Sequence, residues 1–281
     1  MAKAFFLRHR DLLTASLLGL ASGYVTSVTK TRWDTFGGMM TGNTVKLGMA
    51  LQAADWPLVG VFVAVIGCFA LGTECALIML SQSRTKQRLW LAFFCTLFII
   101  VDAVTLALRP HNVSRWESAV SGLAALALGA QNCLSQKSNV VKANTTFMTG
   151  NIQKMTEAVH THFTKGLKAD EKRAVQVLVC TWVFYVLGGI IGVSLATCTA
   201  EFCANWSLAP AALLYGPGML SMQIERPKPP KAKPAEAAKP AEAAKPAATA
   251  VAPAPAEMSA AMATPSTAEG VAQVEVAVVA G

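Results

Sequence analysis

Charged residues are scarce in this chain. Asp, Glu, Lys and Arg make up 14% of its 281 residues, whereas hydrophobic residues make up 53%. Soluble globular domains carry about 25% charged residues, so the composition excludes an ordinary soluble domain. The charge is also unevenly spread, because residues 225–281 form a polar tail. The apolar stretches therefore lie within residues 1–224, which predicts a protein that crosses a membrane several times.

The sequence motifs of enzymes and metal sites are also missing. The chain has four His residues and no Ser-His-Asp, phosphate-loop or HExxH pattern. None of its seven Cys residues forms a CxxC pair, and Cys in an apolar segment usually behaves as a small hydrophobic residue. We therefore expect no enzyme, no catalytic residues, no cofactor, no metal and no disulfide framework.

The net charge of +8 raises the question of nucleic-acid binding. No RNA- or DNA-binding motif accompanies the charge. The Lys and Arg residues lie in short segments between apolar stretches, where such residues set the orientation of membrane helices. We expect the lipid bilayer, and not nucleic acid, as the partner of these residues.

Six segments are long and apolar enough to span a bilayer. About 20 helical residues at 1.5 Å each match a hydrocarbon core of ~30 Å. Two further segments, 36–53 and 144–162, are moderately apolar. The six predicted spans are residues 12–29, 57–80, 89–108, 116–134, 174–198 and 206–224. Basic residues precede the first span as in a signal peptide, but no clear cleavage site follows, so we expect a retained helix.

The two weaker segments share the phrase Met-Thr-Gly-Asn, at residues 40–43 and 148–151. Each copy follows a Gly-rich or Thr-rich break. We expect a helix to begin in the first copy, with Thr41 as its N-terminal cap. A helix that begins at membrane depth presents unpaired N–H groups and the positive end of its dipole. One interpretation is that both helix starts line one substrate site, and the other is that they hold neighbouring helices together. The candidate residues in the phrase are Thr41, Gly42, Asn43, Thr149, Gly150 and Asn151.

Loop charges distinguish between two topologies. If the phrase-bearing segments do not cross and the N-terminus is cytoplasmic, 19 of the 24 Lys and Arg residues lie inside. If both segments crossed, the basic residues at 84–88 and Lys137 and Lys142 would move outside. The positive-inside rule therefore predicts six full spans and two partial ones. Each half then has three spans, an odd number, so the halves must lie upside down relative to each other.

Four polar residues within or at the ends of the predicted spans are further candidates. An acid inside a membrane is a candidate for function by default, so Asp102 and Glu74 are candidates for coupling to an ion or substrate. Gln131 and Asn132 follow Gly129 at the end of the fourth span. Helix packing is the alternative explanation for these two amides, and lining of a substrate pathway is the functional one.

Four phrases of the chain occur in a fixed order: Gly23-Tyr24-Val25, residues 40–45, residues 129–132 and residues 145–150. Together they resemble the YoaK-like family of bacterial membrane proteins. The resemblance covers about residues 10–222 and implies a bacterial integral membrane protein with about six membrane helices and no established substrate. The family often has Asp after Gly-Tyr-Val, where this chain has Thr26.

The predicted fold class is an all-α polytopic membrane protein, with six transmembrane helices and two partial or re-entrant helices. Two inverted repeats cover about residues 10–110 and 114–224, and the Ala-, Pro- and Lys-rich residues 225–281 form a disordered tail. We expect a small-molecule transporter or exporter in the bacterial inner membrane, with both termini cytoplasmic. The alternative is a non-transporting subunit of a membrane complex. The sequence is also compatible with a homo-oligomer.

Overall fold

The computed structural model describes residues 9–108, 114–138, 140–146, 148–198 and 206–222. These residues form α-helices and contain no strand, which confirms the all-α fold class. The predicted disordered tail, residues 225–281, lies outside the described residues. Within the described residues there are eight helices: α1 (Arg10–Trp33), α2 (Met40–Gln52), α3 (Trp56–Ser81), α4 (Arg84–Leu108), α5 (Ser114–Lys137), α6 (Met148–Lys165), α7 (Ala169–Ala196) and α8 (Ala209–Ser221).

Local sequence signals set several helix ends. Asp55 precedes α3, and its carboxylate accepts the Leu58 N–H at 3.3 Å, next to a proline in the first turn. Asp34 ends α1 in the left-handed conformation (φ 54°), and its N–H bonds to the Lys30 carbonyl. Lys168 precedes α7, and its N–H donates to the Glu171 carboxylate at 2.9 Å.

Each of the six predicted spans corresponds to one long or medium helix. Among the described residues, α1, α3, α4 and α7 are long and apolar enough to cross a membrane. α8 has 13 residues, or about 20 Å of helix, which is shorter than a ~30 Å core. Charged and polar residues dilute the apolar character of α5. Four spanning helices indicate a membrane protein, and the number six stays a prediction.

The outward faces of the long helices are apolar. On α3, the side chains of Val63, Leu71 and Ile78 are each more than half exposed, and on α7 so is Ile190. Large contiguous apolar surfaces are rare on soluble monomers. The surface therefore fits a lipid environment, in agreement with the low content of charged residues.

Helices α1 and α7 pack against each other at very short range. A Cβ atom on Gly23 would lie 1.9 Å from the Tyr185 carbonyl oxygen, and one on Gly188 would lie 2.1 Å from that of Leu20. Glycine is therefore required at both positions, since it lets the two backbones touch. Two further glycine contacts, of Gly19 with Thr181 and of Gly192 with Tyr24, fix the direction of the pair. From Gly19 through Gly23 to Tyr24, the contacted residues of α7 also rise in number, so α1 and α7 are parallel.

Helices α3 and α5 form a second pair of the same kind. A Cβ atom on Gly72 would lie 1.9 Å from the Leu126 carbonyl oxygen, and one on Gly129 would lie 2.2 Å from that of Phe69. The side chain of Cys68 lies next to Gly122, and the Thr73 hydroxyl donates to the Gly129 carbonyl at 3.5 Å. Residue numbers therefore rise together along both helices, so α3 and α5 are parallel. Each pair thus joins one helix from each half of the chain through two opposed glycines.

Helix α8 runs antiparallel to both α1 and α4. Its end lies beside the start of α1, where Ser221 and Thr14 share a hydrogen bond of 2.5 Å. Its start lies beside Asp102 near the end of α4. Tyr215 of α8 packs on Phe98, with ring centroids 5.4 Å apart, and donates to the Ala127 carbonyl of α5 at 2.8 Å. One large cluster of buried hydrophobic residues lies among α1, α3, α4, α5 and α8.

Candidate functional site: a buried polar centre

The two breaks before the repeated phrases meet inside the helical bundle. Gly38 belongs to the break between α1 and α2, and Thr146 to the segment between α5 and α6. A Cβ atom on Gly38 would lie 2.9 Å from Thr26 Oγ1, 3.2 Å from Leu128 Cδ1 and 3.4 Å from Thr146 Cβ. The two halves therefore bring their irregular backbone to one buried place, as expected if irregular backbone is to lie at membrane depth.

Asn43 ties the first phrase to its own break. Its Oδ1 accepts the Phe36 N–H at 2.9 Å, and its Nδ2 donates to the Phe36 carbonyl at 2.7 Å. The side chain is fully buried. The carboxamide thus bonds to both backbone polar groups of one residue, so Asn43 holds the start of α2 against the break that follows α1.

Asn151 repeats this arrangement incompletely in the second phrase. Its Nδ2 donates to the Asn144 carbonyl at 2.6 Å, again seven residues upstream. Its Oδ1 is buried and has no hydrogen-bond partner among the described residues. The first copy is thus closed by protein contacts, whereas the second leaves one acceptor open.

The Thr and Gly residues of the phrases behave differently from the Asn residues. The expectation that Thr41 caps α2 was wrong, because α2 starts at Met40 after Met39, with no side-chain cap. Thr41 and Thr149 are both exposed. A Cβ atom on Gly42 would lie 2.8 Å from the Phe36 ring, so ring packing requires this glycine. At Gly150 the nearest such atom is 3.6 Å away, which leaves room for a side chain.

Gln131 connects α5 to α1 and to the second break. Its Nε2 lies 3.0 Å from the Leu18 carbonyl, 2.7 Å from Ser22 Oγ and 3.0 Å from Thr145 Oγ1. An amide nitrogen carries two hydrogens, so these three acceptors compete for two donors. The Ser135 hydroxyl also lies 3.3 Å from Thr145 Oγ1, which extends the network along α5.

Several oxygens in this polar centre lack partners. Burial without a hydrogen bond costs about 1–3 kcal/mol for each group, so such a set calls for an explanation. Three of the oxygens belong to amide groups and can accept hydrogen bonds, and the other two are hydroxyls. Among the residues that the structure describes, the buried oxygens without a partner in or next to this centre are Thr26 Oγ1, Gln131 Oε1, Asn132 Oδ1, Thr146 Oγ1 and Asn151 Oδ1.

Asp102 lies apart from this centre and is fully bonded. The N–H groups of Leu208 and Ala209 each donate to Asp102 Oδ2 at 2.7 Å. Arg32 Nη1 lies 3.2 Å from Asp102 Oδ1 and donates to Ser207 Oγ at 2.6 Å. Asp102 thus caps the start of α8 and pairs with an arginine at the end of α1, so its contacts are structural. A coupling role for Asp102 stays a prediction.

Glu74 is the other acid within a spanning helix. Its side chain is exposed on α3, seven residues before the last residue Ser81. No described residue forms a hydrogen bond or an ion pair with it. The structure therefore brings neither Asp102 nor Glu74 to the polar centre.

Two residues that form ion pairs in the structure were missed in the sequence. Arg32 was counted as a loop charge, although an arginine ending one apolar span and an acid within another are a recognisable pairing signal. Asp34 was not considered, yet it forms ion pairs with Lys30 and Lys46. Burial raises the pKa of Asp34, but hydrogen bonds from these lysines outweigh that effect and lower it below its usual value.

Comparison with known proteins gives one match. The model of a family described as "Protein of unknown function (DUF1275)" matches residues 14–220. No curated protein and no solved structure matches the chain. The match confirms the expected kind of family, one of unknown function, while the YoaK-like name stays a resemblance.

Proposed function

The chain belongs to the DUF1275 family, and we propose that it is a small-molecule transporter or exporter of a bacterial cytoplasmic membrane. The observation that carries the proposal is the buried polar centre, where two helix breaks meet and five buried oxygens of the described residues lack partners. Many transporters bind substrate at interrupted helices contributed by two repeats. A tightly folded membrane protein gains nothing from unpaired buried oxygens, whereas a binding site uses them.

The proposal includes six spans and an inverted repeat. In support, the contacts between helices indicate that α1, α4 and α7 run in one direction and that α3, α5 and α8 run in the other. The loop charges predict the same alternation of spans. In an inverted repeat, α1 corresponds to α5 and α3 corresponds to α7. The glycine contacts between α1 and α7 then correspond to those between α5 and α3. An inverted repeat with both termini cytoplasmic accounts for both observations.

The chemistry of the centre defines the kind of substrate. Amide oxygens accept hydrogen bonds, so Gln131, Asn132 and Asn151 suit a small molecule that carries N–H or O–H donors. Gly37 and Gly38 are in close contact with their surroundings, so the centre is shut off from solvent in this conformation. Substrate entry would need one break to move away from the other, and alternation between the two breaks would give access from opposite sides.

Removal of the open acceptors tests this function. We expect Gln131→Leu and Asn151→Leu to abolish the flux of at least one metabolite that rises when the wild-type chain is overproduced. Mass spectrometry of medium and cell extract measures that flux. The matched controls are Thr41→Val and Thr149→Val, which change exposed residues of the same phrases. Equal metabolite profiles for wild type and both Leu variants, at equal protein levels, would contradict the transporter function.

A second candidate function is supported by Glu74. An exposed carboxylate within a membrane-spanning helix is costly unless a cation approaches it, and an unknown partner subunit could supply that cation. This function predicts that a second protein co-purifies in stoichiometric amount and is lost in Glu74→Gln. Purification without any such protein would exclude it.

A further inference from the structure

A cavity lies where α3, α4 and α8 come together, far along the chain from the repeated phrases. Its volume is about 290 Å³, close to the lower end of the range of small-molecule sites. Arg84 and Arg88, one turn apart at the start of α4, form its charged lining, and the two Met and two Leu residues among the lining form its apolar side. The lining residues are Met79, Arg84, Gln87, Arg88, Leu91, Met219 and Leu220.

The two guanidinium groups have no acceptor in the described part of the protein. Neither Arg84 nor Arg88 forms a hydrogen bond or an ion pair there, and both residues are exposed. Two like charges one turn apart on a helix repel each other. An anion between them would relieve that repulsion, and the planar guanidinium group binds phosphate oxygens in a bidentate manner.

The rim of the cavity is held in place by the buried Gln87. Its Nε2 donates to the Met79 carbonyl at 3.3 Å and to the Gln82 carbonyl at 3.2 Å. These bonds fasten the first turns of α4 to the last turn of α3. The position of the two arginines relative to the cavity is thus fixed by the fold.

The apolar side of the cavity distinguishes a lipid from a free anion. Leu91 and Met219 are buried, whereas Leu220 is half exposed and continues the apolar wall onto the outer surface of the protein. A free phosphate gains nothing from such a wall. A phospholipid places its phosphate between the arginines and its acyl chain along the wall and out into the bilayer.

A third arginine lies at the same end of α8. Arg10 Nε donates to the Ser221 carbonyl at 2.6 Å, directly after Leu220 of the cavity wall. Its Nη2 is buried and has no hydrogen-bond partner among the described residues. This end of the bundle therefore carries an excess of positive charge, and basic pockets between membrane helices are suited to anionic headgroups.

We propose that the cavity between the α3–α4 turn and the end of α8 binds one anionic phospholipid, with its phosphate on Arg84 and Arg88. The site is independent of the proposed transport function, because it shares no residue with the polar centre. The bound lipid fastens α8, the shortest of the helices in the six predicted spans, to α3 and α4.

The test uses the full chain purified in detergent, with phosphatidylglycerol or phosphatidylcholine added and binding measured by native mass spectrometry. We expect one phosphatidylglycerol to bind, and binding to weaken about 30-fold in the Arg84→Gln/Arg88→Gln variant. The matched control is Lys86→Gln/Lys137→Gln, which also removes two positive charges but spares the lining of the cavity. This control is expected to bind like the wild type.

Three outcomes would overturn the proposal. They are equal binding of phosphatidylcholine, equal binding in the arginine variant and the lysine control, and displacement of phosphatidylglycerol by millimolar inorganic phosphate. The last outcome would identify a free-anion site instead. If the double arginine variant does not fold, the single variants carry the test, each with binding expected to be about 5-fold weaker.

Discussion

Alanine substitution of the contact glycines should destabilise the protein strongly. At Gly72, the added Cβ would lie 1.9 Å from the Leu126 carbonyl oxygen, whereas ordinary contacts begin at 3.4 Å. The helices α3 and α5 must therefore separate by about 1.5 Å, because the blocking atom belongs to the backbone and cannot rotate away. Overpacking of a tight core costs about 1–3 kcal/mol. At about 2–4 °C per kcal/mol for a protein of this size, we expect the Tm of Gly72→Ala to fall by roughly 2–12 °C.

The same chain supplies the control. Gly67 lies on the same helix, and nothing lies within 4 Å of a Cβ built on it. Alanine favours helix over glycine by up to about 1 kcal/mol, so Gly67→Ala should leave the Tm unchanged or raise it slightly. Thermal unfolding in detergent, followed by tryptophan fluorescence, measures both variants.

The α1–α7 pair should respond to alanine as the α3–α5 pair does. Gly23→Ala at α1–α7 should cost about as much as Gly129→Ala at α3–α5, since the opposing carbonyl oxygens are 1.9 and 2.2 Å away. A Tm for Gly72→Ala equal to or above that of Gly67→Ala would refute the close packing. A large effect at one pair and none at the other would refute the equivalence of the pairs.

Three further predictions concern the ends of the helices. Asp102→Asn should lower the free energy of unfolding by about 3–5 kcal/mol, because it removes the charge of the fully buried Asp102 from its ion pair with Arg32. Chemical denaturation measures the loss, and an unchanged midpoint would contradict the pairing. The lowered pKa of Asp34 means that its ion pairs stabilise the fold fully above the usual aspartate pKa and are lost as the pH falls through the lowered value. Asp34→Asn should therefore flatten the acid side of a Tm-against-pH curve, and an unaltered curve would show that the lysine pairs contribute nothing. Cysteines at positions 34 and 86, in a background without other Cys, should react with an impermeant maleimide from opposite sides of the membrane, and labelling of both from one side would exclude the six-span topology.

Most helix positions could be predicted because their signal is local. The span predicted at residues 57–80 corresponds to α3 (Trp56–Ser81), and that at 12–29 to α1 (Arg10–Trp33). The weaker segment 36–53 contains α2 (Met40–Gln52), after a break at the predicted glycines. Runs of apolar residues interrupted by Gly carry this information within a few turns of chain.

The last of the predicted spans shows the limit of such signals. Residues 206–224 are apolar enough for a span, yet α8 covers Ala209–Ser221 alone. Its N-terminal backbone bonds to Asp102, about 100 residues earlier in the chain, so the position of its start depends on another helix. Hydropathy cannot report such a contact.

The sequence predicted the segments that form the candidate site, but not the role of their Asn residues. The repetition of Met-Thr-Gly-Asn marked the right segments, but both interpretations of its Asn residues, ligand site or helix contact, were open. For Asn43 the fold favours the helix contact, because both the oxygen and the nitrogen of its carboxamide form hydrogen bonds with the Phe36 backbone. In contrast, Asn151 Oδ1 has no hydrogen-bond partner among the described residues, and neither has Gln131 Oε1 on another helix. Sequence repetition alone could not separate two copies that are identical in these four residues.

The sequence by itself determined the membrane environment, the helical class and the positions of the breaks, because hydropathy, charge and glycine act on neighbouring residues. The tertiary structure alone decided which glycine meets which carbonyl and which amide keeps a free oxygen. Those outcomes depend on partners far apart in the chain, such as Gly72 with Leu126 and Gln131 with Leu18. Close packing and hydrogen bonding are short-range forces, so they act between such residues after the helices have come together.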